Sequence, residues 1–146
     1  MIRPRNSVII DVVVRIMSPM IQIFAFYVIF HGHYSPGGGF QGGALLAASI
    51  LLQRVVLGRH RSARSFPPRL AIPFGAVGIA VYAGVAFWPL AMGGNLLQYD
   101  QLPLGLSVDM LRNTGILLVE IGIAFAVMGT LVSIYDDLAN FQRKEP

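Results

Sequence analysis

Residues 7–30 read SVIIDVVVRIMSPMIQIFAFYVIF, an apolar stretch that contains one acid and one arginine. An α-helix rises about 1.5 Å per residue and the hydrocarbon core of a bilayer is about 30 Å thick, so about 20 such residues cross a membrane. Three further stretches are long and apolar enough to do so. The sequence therefore predicts an all-α membrane protein with four transmembrane helices, at residues 8–30, 40–57, 70–90 and 111–135.

The composition agrees with this fold class. Only 12% of the 146 residues are charged, whereas about 25% is usual in a soluble domain, and the mean hydropathy is +0.65. The length predicts a single transmembrane domain over residues 1–146. There is no cysteine, which excludes disulfides and thiolate metal sites. The first apolar run is too long for a signal peptide, so we expect it to be retained.

The basic residues predict the orientation of the spans. They precede the first span, fill the segment 58–69 and recur after the fourth span, whereas the segments 31–39 and 91–110 carry none. Arg112, at the edge of the fourth span, is the exception. The positive-inside rule then places both termini and the segment 58–69 in the cytoplasm, with the chain in the inner (plasma) membrane. The net charge of +4 predicts contact with anionic lipid and no nucleic-acid partner.

The first span carries two charges, Asp11 and Arg15. They are four residues apart with the acid first, so they share one face of a helix and can pair. An uncompensated charge inside the bilayer costs roughly 2.5 kcal/mol or more. The spacing therefore predicts a structural ion pair. A place for Asp11 in a proton or sodium path is the alternative.

The fourth span has two different faces. At about 100° per residue, Gly115, Gly122 and Gly129 fall on one stripe with other small residues, which predicts close packing against another helix. Glu120 lies roughly opposite, with no lysine or arginine within one helical turn. An acid inside a membrane is a functional candidate, either as an ion or proton relay or as a structural polar contact with another helix or chain. Two such faces predict burial within a larger membrane assembly.

The segment HGHYSPGGGFQGG, residues 31–43, resembles a phosphate or metal loop at first sight. A phosphate loop needs lysine followed by serine or threonine after its glycines, and a dinucleotide motif needs a preceding strand. A metal site needs three or four ligands, and only His31 and His33 are present on this side. We therefore predict no cofactor and no metal. His33, which titrates near neutral pH, is kept as a candidate proton acceptor at an outer mouth.

Backbone geometry is the remaining explanation for the glycines. Pro36 stiffens the chain before the second span, and the three glycines at 37–39 permit backbone angles and close approaches that a Cβ forbids. Gly42 and Gly43 continue as a packing face. Phe40, between the two glycine groups, is predicted to act as a bulky wedge among small neighbours.

Residues 32–52, GHYSPGGGFQGGALLAASILL, resemble the signature of the MnhB/MrpB family, the B-type subunits of multi-subunit sodium/proton antiporters. The matching residues are Gly32, His33, Pro36, Gly37, Gly38, Gly39, Phe40, Gly42 and Gly43. Beyond residue 60 the match is in hydropathy only. The resemblance implies a helix junction shaped by these glycines, Pro36 and Phe40, and it assigns no role to Asp11 or Glu120.

The resemblance also implies a function. It indicates a subunit that is not an enzyme by itself, that assembles with other membrane subunits, and that helps to form a path for sodium ions and protons. Similar subunits occur in membrane-bound hydrogenases and other redox-driven ion pumps, which is the alternative. A small channel built from copies of this chain alone is a third possibility, because the glycine stripe of the fourth span would also suit self-association.

Overall fold

A computed structural model describes residues 8–32 and 37–144 of the chain. Short 3₁₀ turns precede the fourth and fifth helices, and the described residues contain no strand. The helices are α1 (Val8–Phe30), α2 (Gly38–Leu57), α3 (Arg59–Ser62), α4 (Ala71–Ala91) and α5 (Val108–Lys144). All except the short α3 are long and apolar enough to cross a membrane, which confirms the predicted fold class.

The helix bounds differ from the predicted spans mainly at polar or glycine-rich ends. α2 begins at Gly38 rather than at residue 40, because two glycines join its first turn. α5 has 37 residues and extends past the predicted span 111–135 at both ends. Hydropathy marks only the part of a helix that crosses the bilayer. It therefore missed the polar helical end after residue 135.

The two central helices are α2 and α5. α1 packs mainly on α2, α4 packs on α5, and no Cα atom of α1 lies within 8 Å of one in α4. The order across the bundle is therefore α1, α2, α5, α4, with a gap between the outer two helices. The buried core where the helices meet consists of Ala25, Ile29, Leu46, Ala47, Ile50, Ala71, Ala124, Met128 and Val132.

The two ends of the bundle differ in chemistry. At one end, here called the basic end, α1 begins, α2 ends, and α3 carries two arginines. At the other end, here called the glycine end, α1 ends and α2 begins with its glycines. Most of the outer surface of all four long helices is apolar, and side chains such as Ile23 and Ile72 are 70% exposed. Such a surface requires lipid or other subunits around it.

α4 and α5 approach each other at backbone distance. A Cβ placed on Gly122 would lie 2.9 Å from the carbonyl oxygen of Gly78, and one on Gly129 would lie 2.5 Å from the amide nitrogen of Gly75. Real Cβ contacts are essentially never shorter than 3.0 Å. The structure thus places this part of the α5 glycine stripe against the small residues of α4.

Gly115, the remaining glycine of that stripe, meets a loop residue instead of a helix. A Cβ at this position would lie 2.8 Å from the Cγ atom of Tyr99, which sits in the 3₁₀ turn Tyr99–Gln101. Burial raises the pKa of the Tyr99 hydroxyl, and the nearby Tyr82 raises it further. The start of α5 is therefore covered by the loop that follows α4.

Candidate functional site

Glu120 of α5 lies against the glycine motif that opens α2. A Cβ on Gly32 would be 2.5 Å from both carboxylate oxygens of Glu120, and a Cβ on Gly38 would be 3.1 Å from Oε1. The carboxylate therefore occupies space that any other residue at position 32 would fill. Glu120 and the glycine motif are separate features of the sequence, and the structure brings them together.

The glycines at this junction serve two structural purposes. Gly37 and Gly38 have φ angles of 147° and 64°, which residues with a Cβ rarely adopt. Gly39 has ordinary helical geometry but lies on the α5 backbone, since its Cβ would be 2.8 Å from the carbonyl carbon of Glu120. One part of the motif turns the chain into α2, and the other allows α2 and α5 to meet.

The next turn of α2 extends this close approach to two neighbours. A Cβ on Gly43 would lie 2.5 Å from the carbonyl oxygen of Ala124 in α5. A Cβ on Gly42 would lie 3.1 Å from the carbonyl oxygen of Ala25 in α1. Adjacent glycines thus face different helices, and α2 meets both α1 and α5 at backbone distance beside Glu120.

At the glycine end, α2 and α5 begin at different positions along the bundle axis, and Glu120 lies at the level where α2 begins. α2 begins beside Glu120, whereas α5 begins at Val108, about 18 Å further along its axis at 1.5 Å per residue. The first part of α5 packs instead on α4 and the following loop, in a separate cluster of Val85, Leu102 and Leu111. The carboxylate therefore lies within the predicted fourth span and at the edge of the α1–α2 pair.

Phe40 does not act as the predicted wedge. Its side chain is 67% exposed, while Gly39 and Gly43 on the same helix face α5. The backbones of α2 and α5 approach so closely that no side chain fits between them. Phe40, the next residue after Gly39, is rotated by about 100° and points to the outside of the bundle.

The two remaining predictions on this motif, His33 and Pro36, fall outside the described residues. The neighbouring His31 is exposed, and its ring stacks on Tyr27 with a centroid separation of 4.2 Å. Its Nδ1 lies 3.1 Å from the carbonyl oxygen of Tyr27. Within residues 8–32 and 37–144, no group of three or more His, Asp or Glu side chains is arranged to hold a metal ion.

Asp11 has a different partner from the one predicted. Its Oδ2 accepts a hydrogen bond from Nη1 of Arg61 in α3 at 2.7 Å. The expected pairing with Arg15 in the same helix is thus replaced by an ion pair between helices, because α3 folds back beside the start of α1. Asp11 lies at the basic end, far from Glu120, so the structure does not bring these two acids into one site.

A buried ion pair that the sequence analysis missed joins α2 to α5. Arg54 and Asp136 are hydrogen-bonded, and their side chains are only 1% and 7% exposed. Arg54 also donates to the carbonyl oxygen of Phe66 at 3.3 Å. The partners are 82 residues apart in sequence, so no helical periodicity connects them. The available signal was an arginine in the last turn of an apolar helix.

Replacing Asp136 with asparagine is expected to destabilise the protein by about 3 to 5 kcal/mol, because it leaves the buried Arg54 guanidinium without its counter-charge. Asp137→Asn is the matched control, since Asp137 is an exposed neighbour. Thermal unfolding of the purified, detergent-solubilised protein measures the difference. Equal melting temperatures for the two variants would contradict a stabilising role for the pair.

These features define a class: a small integral membrane protein with four spans, an acid at a glycine junction, and an apolar outer surface. Residues 9–133 match the family model MnhB, described as a domain related to the MnhB subunit of a Na⁺/H⁺ antiporter. The chain belongs to the MnhB family. The match extends far beyond residue 60, where the motif resemblance ended.

Curated relatives agree with this assignment. The chain is 33% identical over 136 residues to an antiporter subunit, mnhB2, of Staphylococcus haemolyticus. It is 30% identical over 130 residues to the mnhB2 antiporter subunit of Staphylococcus aureus. Each match covers 88% of this chain and 92% of the relative. Family membership identifies a multi-pass cell-membrane subunit of a multi-subunit Na⁺/H⁺ antiporter, and it does not favour the redox-driven alternative.

Proposed function

We propose that this chain is a non-catalytic subunit of the antiporter and that Glu120 takes part in its path for sodium ions or protons. The observation that carries the proposal is the position of the Glu120 carboxylate over Gly32 and Gly38. An acid inside a membrane-spanning helix is costly and is usually functional. Here the two residues beside it are glycines, so no side chain stands between the carboxylate and the backbone that leads into α2.

The chemistry of a carboxylate suits both proposed ions. Its oxygens are the ligand type that hard cations prefer, and the same oxygens accept a proton. Because α2 begins beside Glu120 whereas α5 extends further, the carboxylate lies at the edge of the α1–α2 pair instead of in the middle of the bundle. A neighbouring subunit that covers the part of α5 that α1 and α2 leave exposed beside Glu120 would complete the path.

The exposed apolar surface supports assembly with such neighbours. Side chains including Phe40 and Ile23 point outwards from the bundle, and the surface around them is too extensive and too apolar for contact with water. Part of it faces lipid in this proposal and part faces other antiporter subunits. The proposed path does not include Asp11, which is paired with Arg61 at the opposite end.

Carbodiimide labelling of the purified complex tests the role of Glu120 directly. Dicyclohexylcarbodiimide reacts with protonated carboxyl groups in apolar surroundings. We expect it to label Glu120, and we expect sodium to protect Glu120 while choline at the same ionic strength does not. Peptide mass spectrometry locates and quantifies the adduct. Equal labelling in sodium and in choline, or no adduct at Glu120, would overturn the proposal.

A further inference from the structure

A polar cleft of about 460 Å³ opens at the basic end, between α1, the end of α2 and the segment that follows α3. Three arginines line it, together with polar side chains that include two glutamines, and no acidic residue among those that the structure describes does so. The arginines are Arg15, Arg61 and Arg64. The cleft therefore has the electrostatic character of an anion site.

Only one of the three arginines has its charge neutralised within the described part of the chain. Arg61 pairs with Asp11 at 2.7 Å. Arg15 and Arg64 are exposed, and neither forms an ion pair with another described residue. Two guanidinium groups in one cleft thus remain for an anion supplied from outside. Arginine binds phosphate oxygens with two parallel hydrogen bonds, so phosphate fits this arrangement well.

The cleft continues into an apolar pocket. A second pocket of about 320 Å³ shares Gln22, Gln53 and Ser65 with the cleft. Its other lining residues are all hydrophobic, among them Phe26 and Phe74. This pocket lies in the gap between α1 and α4, with α2 and α5 as its floor. A single molecule that occupied both spaces would need a charged head and an apolar tail.

We propose that this composite site binds an anionic phospholipid, with its phosphate at Arg15 and Arg64 and an acyl chain in the gap between α1 and α4. Basic pockets between membrane helices on the cytoplasmic side are suited to anionic headgroups, and the basic end is the end that we predict to be cytoplasmic. A free phosphate ion would leave the apolar pocket unfilled. The acid-free lining and its uncompensated arginines favour a lipid over an uncharged helix of another subunit.

The site is independent of the proposed ion path. Glu120 contacts the glycine motif at the other end of α2, whereas the cleft lies at the basic end beside Arg61 and its partner Asp11. Loss of lipid binding therefore need not alter sodium protection of Glu120, and failure of one proposal leaves the other standing. The lipid would fill the gap between α1 and α4.

Binding of phosphatidylglycerol to the delipidated antiporter complex tests the proposal. Vesicles of phosphatidylethanolamine with and without phosphatidylglycerol provide the lipid, and native mass spectrometry counts the lipids that the complex retains. Because a basic residue near an anionic surface contributes about 1 kcal/mol, we expect Arg15→Gln and Arg64→Gln each to lower the affinity about fivefold. Arg64→Lys should retain most of it.

Arg69→Gln is the matched control, since Arg69 is an exposed arginine close in sequence that does not line the cleft. It should leave phosphatidylglycerol binding unchanged, and inorganic phosphate should not displace the lipid. An Arg69→Gln effect equal to that of Arg64→Gln would overturn the proposal. Displacement of the lipid by inorganic phosphate at the same concentration as the lipid would indicate a site for free anions and would overturn the proposal. A cross-link that places a segment of another subunit in the cleft would overturn it as well.

Discussion

Glu120→Gln is expected to reduce Na⁺-dependent proton antiport by at least about tenfold while the complex remains assembled. Glutamine keeps the size of the side chain, so the close approach of α2 and α5 is preserved, but it removes the charge and the titratable proton. A unit charge about 4 Å from a cation gains about 4 kcal/mol at an effective dielectric constant of 20. If the substitution removes a third of this interaction energy, the affinity for the ion falls about tenfold. Antiport measured in everted membrane vesicles provides the test.

Asp109→Asn is the control for this substitution, because Asp109 is an exposed acid in the first turn of the same helix. It removes one negative charge from α5 without touching the glycine junction, and normal antiport is expected. Glu120→Asp keeps the charge but shortens the side chain, so we expect partial activity. Full antiport in Glu120→Gln, with the complex intact on a native gel, would exclude Glu120 from the path.

Gly43→Leu is expected to prevent this chain from entering the antiporter complex. The first added carbon already lies 2.5 Å from the carbonyl oxygen of Ala124, and the rest of the leucine side chain has to go between two backbones. Overpacking of a core usually costs about 1 to 3 kcal/mol. Here the obstacle is α5 backbone instead of a flexible side chain, so the helices must separate. Native gels of solubilised membranes would show a complex that lacks this subunit.

Gly84→Leu provides the same chemical change without the obstruction. Gly84 lies in α4, and a Cβ there would have no atom within 4 Å. This variant is expected to assemble and to transport normally, which separates the effect of close packing from a general effect of leucine in a span. An intact complex containing Gly43→Leu would show that α2 and α5 can move apart at no great cost.

The sequence was a good guide to the helices and a poor guide to their partners. Apolar length alone located all four spans, since the cost of burying polar backbone in lipid leaves few alternatives to a helix. Small residues in α5 suggested a close neighbour, and Gly122 and Gly129 lie against α4 while Gly115 lies against the loop residue Tyr99. Which helix fills that position depends on the whole bundle, and one sequence carries no information on pairs such as Arg54 and Asp136.

In the candidate site, too, the sequence indicated the individual residues but not their contacts. Glu120 stood out because an acid in a span is costly, and the glycine motif stood out because of its composition. Their contact joins residues more than 80 positions apart, so no local spacing predicted it. Phe40 illustrates the opposite error. Phe40 lies between two groups of glycines in the sequence, which predicted that its side chain fills a gap between them. Adjacent residues of a helix lie on different faces, so Phe40 does not point in the same direction as Gly39.

The length of α5 has a mechanical consequence. Its 37 residues correspond to about 55 Å at 1.5 Å per residue, nearly twice the thickness of the hydrocarbon core. Glu120 and Asp136 lie on this one unbroken rod, as does Phe141, which is 67% exposed near its far end. Because Phe141 and Glu120 lie on one continuous helix, a neighbour that displaced α5 at Phe141 would displace the Glu120 carboxylate as well, and the ion pair of Asp136 with Arg54 joins the same helix to α2.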